Sequence, residues 1–387
     1  MKLSTPHIDN NDINYVKKNL KSGWISTSAS EIKKFEENIS NVCGSKYVVA
    51  LNSGTSAIHL ALKIIGTDSS SEIIVPSLTF IATVNPVLYQ GANPIIFDVN
   101  DEHNLKTDDV IKFIKEETLF KNKKTINKKS KKNIKAVIIT HMWGRACNFE
   151  DLRKLCKKRN ILIIEDAAEA LGSFIQLKKL QHCGTVGDIG CLSFNANKII
   201  TTGSGGALIT NNKKFFEKAQ YLSNQAKDDT FNYIHNHCGY NYKMNGISAS
   251  LGNSQLKRLR NKILKRKKIY NRYMFNFKNK KNIEILPQPN KSKNNYWMNV
   301  IRFKNFNYNQ TSKISIYLSK QKIETRRVWR PLNLQTYLKK FQTYNVINST
   351  KFYSSSLCIP SDDNILEAEI DKISSHILKI YEIINSS

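Results

Sequence analysis

The segment from Asp188 to Thr210 reads DIGCLSFNANKIITTGSGGALIT and places one lysine between two apolar runs, the second of which follows a glycine-rich turn. Lysine is normally a surface residue because burying an ammonium group costs free energy. Desolvation favours the neutral form of an amine, and a neutral amine can attack a carbonyl carbon. Lys198 is therefore a candidate nucleophile. A solvent-exposed lysine on a hairpin is the alternative that this segment alone leaves open.

Short, continuously apolar runs alternate with helical patterns along the first half of the chain. These runs are Tyr47–Leu51, Ile73–Pro76, Pro94–Val99, Ala136–Thr140 and Ile161–Glu165. Such strands are typical of a buried parallel sheet covered by helices on both faces, so we predict an α/β fold with a mainly parallel central sheet. The pattern changes near residue 245, which predicts a large domain over 1–245 and a smaller α+β domain over 246–387.

The chain is strongly basic, since 60 lysines and arginines against 31 aspartates and glutamates give a formal net charge of +29. That balance would suit a nucleic acid or a membrane surface, and a non-enzymatic binding protein is the corresponding alternative. The lysines are spread along the chain, however, and no basic stripe recurs beside aromatic residues as base-stacking modules require. We interpret the excess of basic residues as a solvated surface and expect neither nucleic acid nor membrane as partner. For the lysine-rich run Lys121–Lys135 we predict a mobile surface loop.

The seven cysteines are scattered and form no C-x-x-C pair, which favours a reducing compartment over a disulfide framework or a zinc knuckle. His235, His237 and Cys238 lie close together in sequence but lack a fourth ligand, so no metal site is expected. The N-terminus has no apolar signal-peptide core, and no run approaches the roughly 18 apolar residues of a membrane span. The sequence thus predicts a soluble, cytoplasmic protein.

Polar residues follow two of the predicted strands at positions suited to a ligand. Gly54 and Thr55 stand between a strand and a helix, a junction that aims free backbone N–H groups at an anion. Asp166 ends another strand, and ligands of open parallel sheets lie beyond the carboxyl ends of strands. A helix N-cap is the alternative role for this aspartate.

Two more residues complete a recognisable set. Phe80 lies just past a third strand, and Ser193 precedes Lys198 by five residues. With the strand–helix junction and Asp166, the chain then offers an anion cradle, a carboxylate, a flat aromatic face and an amine. Pyridoxal 5′-phosphate (PLP) needs all four, so their convergence predicts PLP as the cofactor.

Four motifs carry a family resemblance. They are NSGTSA at Asn52–Ala57, EDAAEALGS at Glu165–Ser173, SFNANK at Ser193–Lys198 and GYNYKM at Gly239–Met244. The chain resembles the DegT/StrS-type nucleotide-sugar aminotransferases over nearly its whole length. The resemblance implies a fold-type I, PLP-dependent homodimer with shared active sites.

The resemblance also implies a role for each matching position. Lys198 would form the internal aldimine and shuttle the proton between Cα and C4′, and it argues against a dehydratase branch in which histidine replaces lysine. The implied cofactor-binding residues are Asp166 at the pyridinium nitrogen, Phe80 on the ring, Gly54, Thr55 and Ser193 at the phosphate, Glu169 near the ring hydroxyl, and Asn241 at the phosphate of the partner subunit's cofactor.

A narrower likeness suggests the substrate. Residues 233–244 and 329–332 are most similar to the legionaminic acid and bacillosamine branch, which aminates C4 of a UDP-4-keto-6-deoxy-N-acetylhexosamine with L-glutamate as donor for surface glycans. A GDP-linked perosamine precursor and amination at C3 are the alternatives. Trp24, Lys243 and Arg326 are the candidate substrate residues, since an arginine would bind the glutamate carboxylate or the nucleotide phosphate.

Two positions depart from the family pattern. Ala196 stands where glycine is usual, which costs only local backbone freedom. Lys243 stands where arginine is usual, which keeps the charge but loses a two-pronged hydrogen-bond donor.

Overall fold

The computed structural model describes residues 1–386 and is built around a central sheet with helices on both faces. The α-helices of the described residues are α1 (Asn10–Ser22), α2 (Ser30–Cys43), α3 (Gly54–Ile64), α4 (Asn85–Tyr89), α5 (Thr107–Glu116), α6 (Glu150–Lys158), α7 (Lys213–Ser223), α8 (Gly246–Leu256), α9 (Leu259–Phe277), α10 (Tyr308–Lys320), α11 (Asn348–Ser355) and α12 (Glu367–Asn385). None of these helices is both long and apolar enough to cross a membrane.

The strands of the same residues are β1 (Tyr47–Leu51), β2 (Ser71–Pro76), β3 (Asn93–Phe97), β4 (Thr118–Lys121), β5 (Lys124–Asn127), β6 (Asn133–Thr140), β7 (Leu162–Asp166), β8 (Phe174–Gln176), β9 (Leu180–His182), β10 (Ile189–Ser193), β11 (Gly206–Thr210), β12 (Ile283–Ile285), β13 (Ser292–Lys293), β14 (Asn299–Phe303), β15 (Arg326–Arg327), β16 (Thr343–Tyr344) and β17 (Ser356–Ile359).

The central sheet has the order β1-β11-β10-β7-β6-β2-β3-β16, with the β4–β5 hairpin attached to β6. Strands β10, β7, β6, β2, β3 and β16 run parallel to one another, whereas β11 is antiparallel to both of its neighbours. The predicted α/β fold with a mainly parallel sheet is confirmed. The carboxyl ends of the parallel strands lie at one edge of the sheet, and the fold places its ligand site at that edge.

Successive strand residues face two different apolar cores, one on each side of the sheet. Val48 and Ala50 of β1 belong to the core that contains α2, α5 and α6. Val49 and Leu51 belong to the core that contains α3, α4 and α7. Because both faces are buried, every position of such a strand needs an apolar side chain, which explains the continuous apolar runs in the sequence.

The prediction of a mobile loop over Lys121–Lys135 is wrong. Strands β4 and β5 form an antiparallel hairpin there, and Ile126 of β5 pairs with Asn133 at the start of β6. Thr125 is fully buried and donates its hydroxyl hydrogen to the Arg159 carbonyl at 2.6 Å. The hairpin is therefore an ordered extension of the central sheet.

The C-terminal part forms a second sheet of order β12-β14-β17-β15, which shares a core with α9, α10 and α12. A small third sheet, β13-β8-β9, joins it to the first part of the chain. Helix α8 comes directly after the predicted boundary at residue 245 but packs against α1 and α2, where Asn253 donates to the Glu31 carbonyl at 3.0 Å. The division at 245/246 stays a prediction, and the second sheet itself begins at Ile283.

Candidate active site

The carboxyl ends of the parallel strands open into a cleft of about 430 Å³. Asp166 is the last residue of β7, Ser193 the last of β10 and Thr140 the last of β6. Phe80 follows β2 by four residues, and Lys198 follows β10 by five. All five residues line the cleft, whose volume is in the range of small-molecule sites.

Lys198 lies in the turn between β10 and β11. Its Nζ is 3.5 Å from Glu169 Oε1 and 4.2 Å from the centre of the Trp297 ring. The lysine side chain is only 13% exposed, so the alternative of a solvent-exposed hairpin lysine is wrong. The backbone N–H of Lys198 donates to the Asn195 carbonyl at 2.9 Å, which fixes the turn. The amine therefore has a carboxylate and an aromatic face as its neighbours.

The N-terminus of α3 has the geometry of a candidate anion site. Ser53 is the N-cap, and its hydroxyl accepts the N–H of Ser56 at 3.0 Å. The backbone N–H groups of Gly54 and Thr55 have no hydrogen-bond partner within residues 1–386. A Cβ at Gly54 would come within 2.9 Å of Ser193 Cβ, so glycine allows the helix end to approach this serine. The free N–H groups, the serine hydroxyl and the helix dipole fit a phosphate.

Asp166 is buried at the floor of the cleft. Its carboxylate accepts hydrogen bonds from the Thr83 hydroxyl at 2.7 Å and from the Ala168 N–H at 3.2 Å. Burial raises the pKa of the Asp166 carboxyl, and the Thr83 hydrogen bond and the Lys198 charge oppose that rise. Residues 167–173 form turns and no helix, so the N-cap alternative is wrong. A buried carboxylate of this kind fits the protonated ring nitrogen of PLP.

Glu169 is the second carboxylate of the cleft. Its Oε2 accepts the backbone N–H of Trp143 at 2.7 Å, while its Oε1 faces Lys198. Burial raises the pKa of the Glu169 carboxyl, and the charge of Lys198 opposes the rise. Trp143 has φ 62° and ψ 20°, a left-handed conformation that is uncommon for a residue other than glycine. This strained turn holds the carboxylate beside the lysine.

Aromatic rings form one wall of the cleft. Phe80, which is 50% exposed, lies against Trp329 with ring centres 4.9 Å apart. Trp329 stacks on Trp143 at 5.6 Å, and Trp143 lies nearly parallel to Trp297 at 6.4 Å. The sequence interpretation did not identify Trp143 or Trp297. The available signal for Trp143 was its position three residues after Thr140, the end of a buried strand.

Three residues with roles implied by the family likeness lie outside the cleft of this chain. Asn241 is exposed, Trp24 is 65% exposed, and Lys243 borders a separate depression beside α2. Arg326 does line the cleft, where its guanidinium pairs with Glu324 at 3.0 Å. The substrate roles of Trp24 and Lys243 stay predictions, and so does the role of Asn241 at the cofactor phosphate of a partner subunit.

The fold and this set of groups define a PLP-dependent enzyme, because a partly buried amine, two buried carboxylates and an anion site meet at the carboxyl edge of a parallel sheet. Residues 6–378 match the model of the DegT/DnrJ/EryC1/StrS aminotransferase family, and the chain belongs to that family. It is a PLP-dependent sugar aminotransferase. The predicted enzyme class and cofactor are confirmed, and the non-enzymatic alternative is wrong.

The similarity to relatives of known sequence and structure extends over almost the whole chain. The chain is 32% identical over 381 residues to the GDP-perosamine synthase of Escherichia coli O157:H7, covering 97% of each protein. It is 30% identical over 375 residues to the UDP-4-amino-4,6-dideoxy-N-acetyl-beta-L-altrosamine transaminase of Campylobacter jejuni strain 81-176, covering 95% of each. The PLP form of a Streptococcus pneumoniae protein has the same fold, with a TM-score of 0.89, 24% identity and 99% of each chain covered.

Proposed function

We propose that this aminotransferase moves the amino group of L-glutamate to C4 of a UDP-linked 4-keto-6-deoxy-N-acetylhexosamine, in nucleotide-sugar biosynthesis for surface glycans. One observation carries the amino-transfer chemistry: the Lys198 amine lies 3.5 Å from a Glu169 oxygen in the cleft that Asp166 also lines. The sugar is supported by the Campylobacter relative, whose name specifies a UDP-linked, N-acetylated amino sugar.

The cleft residues divide the binding of PLP among them in this proposal. The N–H groups of Gly54 and Thr55 and the Ser193 hydroxyl bind the phosphate. Asp166 would keep the ring nitrogen protonated, and Phe80 would hold the ring. When bound, PLP supplies an electron sink for the carbanion left when an amino-bearing carbon loses its proton.

Lys198 moves that proton. As a neutral amine, Nζ would accept the proton from the amino-bearing carbon, and as an ammonium it would return the proton to the carbon on the other side of the amino nitrogen. Glu169 Oε1, at 3.5 Å from Nζ, stabilises the ammonium between the two steps. The carboxylate is held by the Trp143 N–H, so it keeps its position while the amine changes charge.

Arg326 and Trp329 are the groups proposed to meet the substrates. The Arg326 side chain is 59% exposed, which leaves its guanidinium accessible to the glutamate carboxylate or to the diphosphate. The Trp329 indole N–H is buried and has no hydrogen-bond partner within residues 1–386. The Trp329 ring also lines the cleft, and its indole face would pack against the 6-deoxy carbon.

A GDP-linked 4-keto-6-deoxyhexose is the second candidate because the Escherichia coli relative, at 32% identity, is a GDP-perosamine synthase. The test is to incubate the purified enzyme with L-glutamate and UDP-, GDP- and dTDP-linked 4-keto-6-deoxy sugars and to determine each product by NMR. We expect the highest kcat/KM with the UDP-linked N-acetyl sugar and nitrogen at C4. A preference for the GDP sugar would select the second candidate, and nitrogen at C3 would contradict both.

A homodimer with shared active sites is also part of the proposal. Asn241 lies outside the cleft of its own chain, and the segment before it carries Phe231 and Tyr233, which are 88% and 75% exposed. Large exposed side chains of this kind mark interaction surfaces. A second copy packed on this segment would bring Asn241 to the partner's cofactor phosphate.

A further inference from the structure

The Trp297 indole contacts both the reactive amine and the backbone beside it. Its ring centre is 4.2 Å from Lys198 Nζ, and its Nε1 donates to the Asn197 carbonyl at 2.7 Å. Trp297 is 1% exposed, so the contact is shielded from water on the side of the ring. None of the family motifs in the sequence includes this tryptophan.

The position of the indole is fixed by a segment that also fixes Glu169. Arg266 on α9 donates to the Trp297 carbonyl at 2.5 Å, and the Trp297 N–H donates to Asn295 Oδ1 at 3.0 Å. The Asn295 amide donates in turn to the carbonyls of Glu169 and Leu171 at 2.8 and 2.9 Å. Asn295 and Trp297 therefore hold the carboxylate turn and the aromatic ring at a set separation on either side of the amine.

An ammonium group and a neutral amine interact differently with this ring. The face of an indole carries negative charge density, which attracts a cation and gives little to a neutral amine. The Lys198 amine lies 4.2 Å from the ring centre, within the distance at which this attraction acts. The ring thus acts on one of the two states through which a proton-carrying lysine passes.

We propose that Trp297 is a positioning residue for Lys198, whose ring stabilises the protonated amine between the uptake of a proton at Nζ and its return. The indole N–H bond to Asn197 keeps the turn in place, so that the ammonium stays over the ring. The proton taken up is the proton returned, so the step consumes no further reactant. This inference rests on the proposed role of Lys198 as proton carrier.

Competitive labelling with acetic anhydride tests the proposal on the cofactor-free, full-length chain. Only the neutral amine reacts, so acetylation of Lys198 followed by mass spectrometry across pH reports its protonation, with exposed lysines as internal references. Trp297→Leu is expected to raise Lys198 acetylation roughly fivefold to tenfold at pH values where the wild-type amine is mostly protonated. Trp297→Phe keeps an aromatic face, so we expect its Lys198 acetylation to stay within about twofold of the wild-type value.

The shape of the pH profile separates charge stabilisation from mere access. Easier access of the reagent would raise the plateau that the rate of Lys198 acetylation reaches at high pH. Loss of the ring's attraction would instead lower the half-maximal pH, at which acetylation reaches half of that plateau. Phe306→Leu is the matched control, because it removes a buried aromatic ring from the core of the second sheet and leaves Lys198 untouched. We expect the control to label Lys198 as the wild type does.

Fluorotryptophan provides a second test that does not depend on how well Trp297→Leu folds. Fluorine withdraws electron density from the ring face but keeps the shape and the N–H group, and Trp297 is the tryptophan that lies over Lys198. We expect the half-maximal pH to move in the same direction as in Trp297→Leu. An unchanged half-maximal pH in either protein, or a Trp297→Phe profile equal to that of Trp297→Leu, would overturn the proposal. Mapping of the cofactor attachment separately tests Lys198 itself.

Discussion

Two buried carboxylates, those of Asp166 and Glu169, face the single ammonium group of Lys198. Burial raises the pKa of both carboxyls, and the lysine charge opposes both rises. A protonated pyridine nitrogen would bring a second positive charge to the floor of the cleft and favour the ionised form of Asp166. The buried Asp166 carboxylate at the floor of the cleft therefore suits the protonated ring nitrogen of PLP.

Glu36 gives a pH-dependent prediction away from the cleft. Burial raises its pKa from 4.5 to about 7, although it accepts the Ala50 N–H at 2.8 Å. Because the folded-state pKa is the higher one, the stability from the protonated form is complete below about pH 4.5 and is lost as the pH rises through 7. We expect Glu36→Gln to exceed the wild type in stability at pH 8 by about 3 kcal/mol and to match it near pH 4.5. Urea unfolding at both pH values measures this, and equal differences at the two pH values would contradict it.

The polar cleft residues could be predicted because each stands where an apolar strand meets a turn. Asp166 and Ser193 end strands, and that position alone sets them at the ligand edge of a parallel sheet. Trp297 could not be predicted, since its contact with Asn197 joins residues 100 positions apart and an apolar residue in a strand-like context is usually core. Ala196 does not adopt a positive φ, so the glycine usual at that position is not needed for the turn.

The β4–β5 hairpin shows that a high content of surface lysines can make a strand difficult to recognise in the sequence. Asn122 and Lys123 have φ of 53° and 57°, which is the geometry of a tight two-residue hairpin turn. Thr125 is buried whereas Lys124 is exposed, and this alternation is that of a strand with one solvated face. The lysines on the solvent side dominate the composition of the run and mask this alternation in the sequence.

Thr125 is one of the residues that anchor this hairpin to the end of α6, together with Asn160, which donates to the Lys123 carbonyl. Replacing it with valine keeps the volume but removes the donor to the Arg159 carbonyl, and we expect a loss of about 1–2 kcal/mol in the free energy of unfolding. Lys124→Ser is the control on the exposed side and should change stability by less than about 0.5 kcal/mol. Urea unfolding of both variants checks the comparison, and equal effects would show that Thr125 does not anchor the hairpin.

At the scale of the whole molecule, the cleft is closed by residues from both ends of the chain. Leu3, Trp143, Trp297 and Val328 belong to one apolar core that joins the central sheet to the C-terminal part. The α/β class could be predicted from short apolar runs of sequence. The closure of the cleft depends on these long-range contacts, which no short segment of the sequence indicates. The same limit applies to Asn241, whose proposed site lies in another subunit.

Subunit complementation tests the shared site. Lys198→Ala and Asn241→Ala subunits should each have strongly reduced activity alone, because one lacks the amine and the other the proposed phosphate ligand. In mixed dimers one of the two sites is intact, so an equal mixture refolded together should recover about a quarter of the wild-type activity. Activity no higher than the average of the two separate variants would place Asn241 outside the partner's site.

Lys198 is proposed to carry the cofactor. This attachment is tested most directly by reducing the PLP-loaded enzyme with sodium borohydride, digesting it and locating the phosphopyridoxyl group by mass spectrometry. We expect one labelled peptide, with the group on Lys198, and no label after the same treatment of Lys198→Ala. A label on any other lysine of the loaded wild-type enzyme, with Lys198 unmodified, would contradict it.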